Sequence, residues 1–396
     1  MSEAASHARF HCLLSARFCS QMATQMQATA VAWQVYDLTG DPIVLGLVGL
    51  AQFAPAIPLM PLAGQAADRF ERRLILLACY VAFMGTMAAL IAAAHVGSPA
   101  LIYAVIAVFG AARVFEAPAA TSLVPNLVDA GFLKRAIAMF SSVNKTATIA
   151  GPALGGFLYA LGAEAVYGTG ILLLVFALVR VARIGSTGTP GGERTGAVTS
   201  PWEGLAFIWR QKLILASMSL DLIAVIFSAA AGLLPVFAKD ILEVGPWGLG
   251  LLRSAPAAGG LTLGLILSRH PIERHAGSVL LSMIAIFGCA AVAFAFSTSF
   301  ALSLALLAVM GAADQVSVVI RGSIMQIMTP DPLRGRVAAA YNLFTNMSNQ
   351  MGIFEAGLAA AWLGPVAAVA VGGTIAATTA GAWAILFPGL RRIDRL

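Results

Sequence analysis

Long apolar runs, broken by short polar punctuation, organise this chain from end to end. About twenty predominantly apolar residues carry a helix across the hydrocarbon of a bilayer. Runs of that length lie near residues 12–35, 42–66, 72–94, 100–122, 137–160 and 164–184. Then comes "GSTGTPGGERTGAVTSP", Gly185 to Pro201, rich in Gly, Ser and Thr, which reads as a flexible linker. The following "WEGLAFIWRQK" has the mixture of bulky apolar and charged residues of a helix lying along a membrane surface. Six more runs follow, near 213–237, 246–268, 277–297, 300–323, 337–361 and 364–387. The pattern predicts an all-α integral membrane protein with twelve transmembrane helices. They fall into an N-terminal six-helix bundle, 1–184, a linker with an amphipathic helix, 185–212, and a C-terminal six-helix bundle, 213–396.

The two sets of six repeat. "AVFGAARVFEAPAATS", Ala107 to Ser122, matches "AVMGAADQVSVVIRGS", Ala308 to Ser323, at an offset of 201 residues. At that offset "LKRAIAMF" meets "RGRVAAAY", Gly151 meets Gly352, Gly156 meets Gly357, and Ala54-Pro55-Ala56 meets Ala255-Pro256-Ala257. Chance likeness among Ala- and Gly-rich helices explains one match. It does not explain a shared offset that also aligns charged loops. The bundles are therefore expected to be pseudo-symmetric, related by an axis along the membrane normal, and to rock about a site near the bilayer midplane.

Composition agrees. The chain has 396 residues, 59% hydrophobic and 11% charged, where soluble domains carry about 25% charged residues. No water-soluble core hides so much apolar surface. The net charge of +6 follows from the excess of Lys and Arg in loops predicted to face the cytoplasm, among them Arg69, Arg72, Arg73, Lys134, Arg135, Arg334 and Arg336. The outer loops offer Lys239. That bias puts both termini in the cytoplasm. No basic run with interleaved aromatics appears, so a nucleic-acid partner is not expected. Cys12, Cys19, Cys79 and Cys289 lie in apolar segments without CxxC spacing and read as inert thiols, not as a disulfide or metal site. The first apolar run is long, carries polar residues and lacks a small-residue cleavage site, so no cleavable signal sequence is expected.

Against this background "GQAADRFERR", Gly64 to Arg73, places five charged side chains within six residues. A plain topology signal is one reading. The spacing supports another: Gly64 lets the end of span 2 approach a neighbour, and Asp68 caps a helix or pairs with an Arg, forming a latch. Gly64, Asp68, Arg69, Arg72 and Arg73 resemble the signature loop of the major facilitator superfamily, although the family usually has Gly where this chain has Glu71. "WQVYDLTGDPIVLGLVGLAQFAP" and "RVFEAPAATSLVPNLV" resemble the branch holding the enterobactin exporter and the macrolide-efflux proteins. The resemblance covers nearly the whole chain. It implies the major facilitator fold, a bacterial cytoplasmic (inner) membrane, and export of small organic molecules in exchange for protons. Arg113 occupies the place of the span-4 Arg that the family associates with gating or proton coupling, which makes Asp68 its candidate partner. In span 5, Gly151-Pro152-Ala153-Leu154-Gly155-Gly156 resembles the family's antiporter motif, Gly-Pro-x-x-Gly-Gly; two upstream glycine positions hold Ala138 and Ala147 instead. Residues 147, 151 and 155 form one small-residue stripe against which another backbone can pack closely, and Pro152 should bend the helix.

Ionisable side chains at bilayer depth cost about 2.5–3.5 kcal/mol on insertion scales and mark a pathway or a pair. Those singled out are Arg113, Glu116, Lys145, Asp221, Arg253, Asp314, Arg321 and Glu355. Arg113 and Glu116 share a helical face and can pair locally; Asp314 and Arg321 are two turns apart on another. Asp221 and Glu355 have no local base and are the freest to carry protons, with Asp314 and Glu116 behind them. A structural ion pair is the competing reading for each. Gln21, Gln25, Asn144, Asn346, Asn349 and Gln350, with Lys145 and Arg253, are the substrate-cavity candidates. Single amides equally serve as glue between helices. Fourteen methionines and twenty-one phenylalanines can supply an adaptable apolar wall.

The function expected is a secondary exporter of a small amphipathic organic compound, drug- or siderophore-like, working by alternating access. An importer or uncoupled facilitator of the same fold is the alternative. A membrane enzyme needs a nucleophile or metal cluster; His7, His11, His95, His270 and His275 lie near ends or loops without an HExxH pattern. A receptor or scaffold would append a soluble domain, and no Walker loop supports ATP hydrolysis. The partners expected are a small-molecule substrate, protons and membrane lipid, with the monomer as the working unit. No cofactor is expected; the proton gradient is the energy source.

Overall fold

The expected crossings appear as helical segments in a computed structural model that describes residues 3–129, 131–185, 201–227, 230–272, 274–330 and 333–393. Most of the expected linker, 186–200, lies outside the described residues, as do the side chains of Asp68 and Asn346. The first half holds α1 (Glu3–Thr39), α2 (Pro42–Phe53), α3 (Ala56–Arg69), α4 (Arg72–Val96), α5 (Pro99–Leu127), α6 (Leu133–Tyr159) and α7 (Ala163–Ala182). Next come α8 (Pro201–Arg210), α9 (Lys212–Phe227) and α10 (Ala230–Val236), which runs into a π turn, Phe237–Ile241. The rest is α11 (Gly245–Arg269), α12 (Ala276–Ala295), α13 (Phe300–Met328), α14 (Arg334–Leu363), α15 (Pro365–Leu386) and the single turn α16 (Pro388–Arg391).

Local chemistry sets the ends. Gly97 closes α4 at φ 65°, its N–H donating to the Ala93 carbonyl at 3.0 Å, and Pro99 opens α5 at the position where a missing N–H costs nothing. Span 2 departs from the expected continuous run. It breaks at Ala54-Pro55 into α2 and α3, because Pro55 removes a backbone donor from the ladder. The expected amphipathic helix is present as α8: Ile208 is buried against Ile214 and Val337, while Trp209 is 66% exposed.

Among the described residues, nine helical segments are long and apolar enough to cross a bilayer. The expected crossings that fall short of that measure are α1, α6 and α14, which carry most of the polar residues singled out above.

The chain divides into two units. Unit 1 takes the described parts of Met1–Gly40, Leu47–Glu193 and Val244–Ser254; unit 2 takes those of Asp41–Gly46, Arg194–Glu243 and Ala255–Leu396. In unit 1, α1 packs on α5, α6 and α7, and α4 packs between α5 and α7. Fully buried Tyr80, Phe83 and Tyr167 form part of its core, with Phe83 and Phe109 ring centroids 4.9 Å apart. In unit 2 the same plan recurs: α9 packs on α13, α14 and α15, and α12 packs between α13 and α15. Leu220, Leu280, Ile284, Ile320 and Ile324 fill that core. The repeat read from the sequence is thus a repeat of helix packing.

Its register differs at one place. A Cβ at Gly110 would run into the backbone of Gln52, and one at Gly311 into the backbone of Pro256. Those partners are 204 residues apart, as are Pro42 and Pro246 near the helix starts, so spans 2 and 8 align three residues away from the Ala-Pro-Ala match. Helix packing follows the start of the span; the short motif coincides by composition.

Candidate functional site

Among the described residues, each unit holds a buried ion pair tying its first span to its fourth. In unit 1 the cation is Arg17 on α1, 8% exposed. Its Nη1 pairs with Glu116 Oε1 on α5 and its Nε donates to Asn144 Oδ1 on α6 at 2.9 Å. The guanidinium lies 5.5 Å from the centroid of the Phe140 ring. With the Gln21 amide turned so that its oxygen faces Arg17, that oxygen accepts at 2.9 and 3.1 Å. Carboxylate, amides and a ring surround the guanidinium, the condition under which a buried charge is tolerated. Glu116 therefore pairs across helices and not with Arg113 one turn away, which is exposed.

In unit 2 the polarity is reversed. Asp221 on α9, 5% exposed, pairs through Oδ2 with Arg321 Nη1 on α13. Arg321 also reaches Asp314 Oδ1 at 3.8 Å, and its Nε donates to the Ser317 carbonyl at 3.2 Å. Its Cζ is 6.0 Å from the centroid of the Tyr341 ring on α14. Asp221 has no base near it in the sequence, as expected, but it is not free: Arg321 is remote in sequence and adjacent in space. The two-turn spacing of Asp314 and Arg321 does bring them together.

The clusters are charge-reversed counterparts. Arg17 and Asp221 stand on equivalent first spans, Glu116 and Arg321 on equivalent fourth spans, and Arg113 and Asp314 share the 201-residue offset. Hydrophobic pattern alone does not single out Arg17. It lies near the start of the first apolar run, where an Arg reads as a flank. The rule that picks out Asp221, an ionisable residue inside an apolar run, applies equally to "LLSARFCSQM".

Glu355 is half-buried on α14, and among the described residues it makes no ion pair. Lys145 is exposed; Arg253 is half-buried and donates to the Ala28 carbonyl at 2.8 Å. Gln21 and Asn144 are engaged with Arg17, which favours glue over cavity for those two amides. Gln25 packs through Cβ on Gly151. Asn349 is exposed and donates to the Thr345 carbonyl at 3.0 Å; Gln350 is half-buried.

The glycine-rich stretch of α6 is a packing face. A Cβ at Gly151 would lie 2.5 Å from Gln25 Cβ, and one at Gly155 2.8 Å from Met26 Cα, so α1 sits directly on this stripe. A Cβ at Gly156 would lie 2.9 Å from Gly250 Cα, and one at its repeat equivalent Gly357 3.0 Å from Gly46 Cα. The helix continues through Pro152.

In the charged loop, Arg72 Nη1 donates to the Ser122 carbonyl at 2.9 Å. Arg73 donates from Nε to the Val181 carbonyl at 3.2 Å and from Nη2 to that of Ala182 at 2.8 Å. The Arg73 guanidinium thus caps the carbonyl end of α7, where the dipole favours a cation. Arg69 is exposed. A Cβ added at Gly64 would meet no described atom within 4 Å, so among the described residues nothing makes the close approach expected there. The four cysteines are free, Cys19 and Cys79 buried, Cys12 half-buried and Cys289 exposed.

The sequence profile of the Major Facilitator Superfamily matches residues 13–352. An uncharacterised MFS-type transporter of Bacillus subtilis (strain 168), YfiS, is 26% identical over 387 residues, covering 89% of this chain and 87% of the relative. The multidrug efflux pump Tap of Mycolicibacterium fortuitum is 26% identical over 382 residues, covering 92% of each. The enterobactin exporter EntS of Shigella dysenteriae serotype 1 (strain Sd197) is 26% identical over 387 residues, covering 93% and 89%. The fold matches the crystal structure of the nucleoside transporter NupG with a TM-score of 0.71 at 16% identity, over 96% of this chain and 99% of that one.

Proposed function

Because this chain belongs to the Major Facilitator Superfamily, and is therefore a multi-pass secondary transporter of small molecules and not an enzyme, we propose that it exports a small amphipathic organic compound in exchange for protons. The names of Tap and EntS support the direction. The observation that carries the reading is the buried cluster of unit 2, in which one guanidinium stands between two carboxylates, Asp221 and Asp314. Neutralising Asp221, by a proton or by a cargo, leaves Arg321 to Asp314. That exchange of partners is a two-state element of the kind alternating access requires. Glu355, without an ion pair among the described residues, is the second proton carrier. Glu116 is held by Arg17 and plays a structural part. Gly64, Asp68, Arg69, Arg72, Arg73 and Arg113 form the inner latch, and Gly151, Pro152, Gly155 and Gly156 the tight α6 face on which the motion turns. The protein works as a monomer in a bacterial inner membrane with both termini in the cytoplasm.

The test is flux in vesicles. The purified chain is reconstituted under an imposed pH gradient, and siderophores, macrolides and hydrophobic amines are screened with an internal pH dye. An antiporter moves protons against the flow of its compound. Asp221→Asn and Glu355→Gln should each lower coupled flux at least tenfold while compound exchange without a gradient persists. Full-rate pumping by both variants sinks the coupling assignment. Proton flow along with the compound indicates an importer, and none at all a facilitator.

A further inference from the structure

In unit 1, α7 has one buried and one exposed side. Leu174, Ala177 and Val181 are buried, while Leu172, Phe176 and Val179 are exposed. Spacings of four, three and four residues carry that exposed stripe from Leu172 to Arg183, which is exposed as well. In a helix long and apolar enough to cross a bilayer, such a stripe meets lipid, and this one ends on a guanidinium. Arg180 stands beside it on the edge next to α1, where its Nε donates to Ser15 Oγ at 2.9 Å. Arg73, bonded to the carbonyls of Val181 and Ala182, brings a third cation to the same helix end.

An arginine near the end of a span ordinarily stretches its head outward, into water. Arg180 turns the other way. Its Cζ lies 5.9 Å from the centroid of the Phe176 ring, one turn back toward the middle of the span. Among the described residues, neither of its Nη groups has a hydrogen-bond partner, and the Arg183 guanidinium has none at all. None of the three arginines makes an ion pair among the described residues. The carbonyl end of the helix offsets about half of one charge. The remainder needs an anion from outside the chain. The equivalent last span of unit 2, α15, has no basic residue in its last turn, so closing a sixth span does not itself require this arrangement.

We infer that the basic end of α7 binds an anionic phospholipid. Its phosphate accepts from the guanidinium groups of Arg180 and Arg183, whose forked donors match phosphate oxygens. An acyl chain lies along Val179, Phe176 and Leu172. Three cations favour a headgroup of net negative charge over a zwitterion, whose ammonium they repel. The apolar stripe favours a lipid over a free phosphate.

The probe is phosphatidylglycerol, titrated into the full chain in detergent and counted as bound lipids by native mass spectrometry. The first lipid should bind at least tenfold more tightly than phosphatidylcholine of the same chain length. Each arginine near an anionic lipid contributes about fivefold, so Arg180→Gln/Arg183→Gln should weaken the first lipid at least tenfold. Arg269→Gln/Arg274→Gln, which deletes the same charge from exposed positions of unit 2, should change it less than twofold. Arg183→Glu alone should also weaken it at least tenfold, and it serves if the double variant does not fold. Glycerol 3-phosphate, which offers the phosphate without chains, should not displace the lipid. Equal losses in the two double variants reduce the effect to overall surface charge and overturn the site, as does binding to the unaltered chain without preference for phosphatidylglycerol. Displacement by glycerol 3-phosphate assigns the arginines to a soluble phosphate and overturns the lipid.

Discussion

At the scale of the residue, Arg17 and Asp221 carry opposite charges in equivalent places, and each is held by a partner from a distant helix. Removing one member of a buried pair strands the other, at a cost of roughly 3–5 kcal/mol, whereas replacing both by neutral groups of similar shape costs far less. Arg17→Gln and Glu116→Gln should therefore each lower the thermal midpoint in detergent, and the double variant should recover more than half of the loss. Additive losses in that cycle would show that the pair is not coupled. The acids of these clusters were legible in the sequence, since an ionised group in an apolar run is conspicuous. The two-turn spacing also pointed Asp314 to Arg321, but the partners of Glu116 and Asp221 were not legible. Glu116 and Arg17 lie 99 residues apart, and no local spacing announces which helices meet. The nearby Arg113, three residues from Glu116, was the misleading neighbour.

At the scale of the element, glycines of similar appearance have opposite roles. Gly155 on α6 is pressed against the backbone of α1 at Met26, while Gly64 on α3 faces open space. Gly155→Leu forces two helices apart and should cost more than the about 1–3 kcal/mol of ordinary overpacking, seen as loss of monodisperse protein. Gly64→Ala meets no described atom and replaces glycine inside a helix, so it should raise stability by about 0.4–1 kcal/mol. If Gly64 belongs to a latch that closes during transport, the same variant lowers export while folding better. Unimpaired export would leave the loop as a topology signal. Where most of the long helices lie could be read from the hydrophobic runs. The break at Ala54-Pro55 and the three-residue shift between spans 2 and 8 could not, because both depend on how a backbone meets its neighbour.

For the whole molecule, the bias of Lys and Arg makes a prediction about sidedness. In a cysteine-free background, cysteines at the exposed positions Arg69 and Arg269 should react with an impermeant maleimide only when the cytoplasmic face is open to it. Cysteines at Leu161 and Phe296 should react from the outside. Labelling of Arg69 and Arg269 from opposite faces would end the parallel-repeat topology. That topology was legible because the 201-residue offset recurs in several spans, whereas the exchange of Asp41–Gly46 and Val244–Ser254 between the units left no mark in the hydrophobic pattern. The polarity of α1 has a consequence for biogenesis. This helix falls short of the apolarity that holds a segment in lipid unaided, and its packing partner α6 is complete only at Tyr159. At ribosomal speeds of about 5–20 residues per second, the first span waits roughly 6–24 s for that companion. During that interval Arg17 has no Asn144 to lean on, and a nascent chain stalled before α6 should slip its first span back out of the insertion machinery.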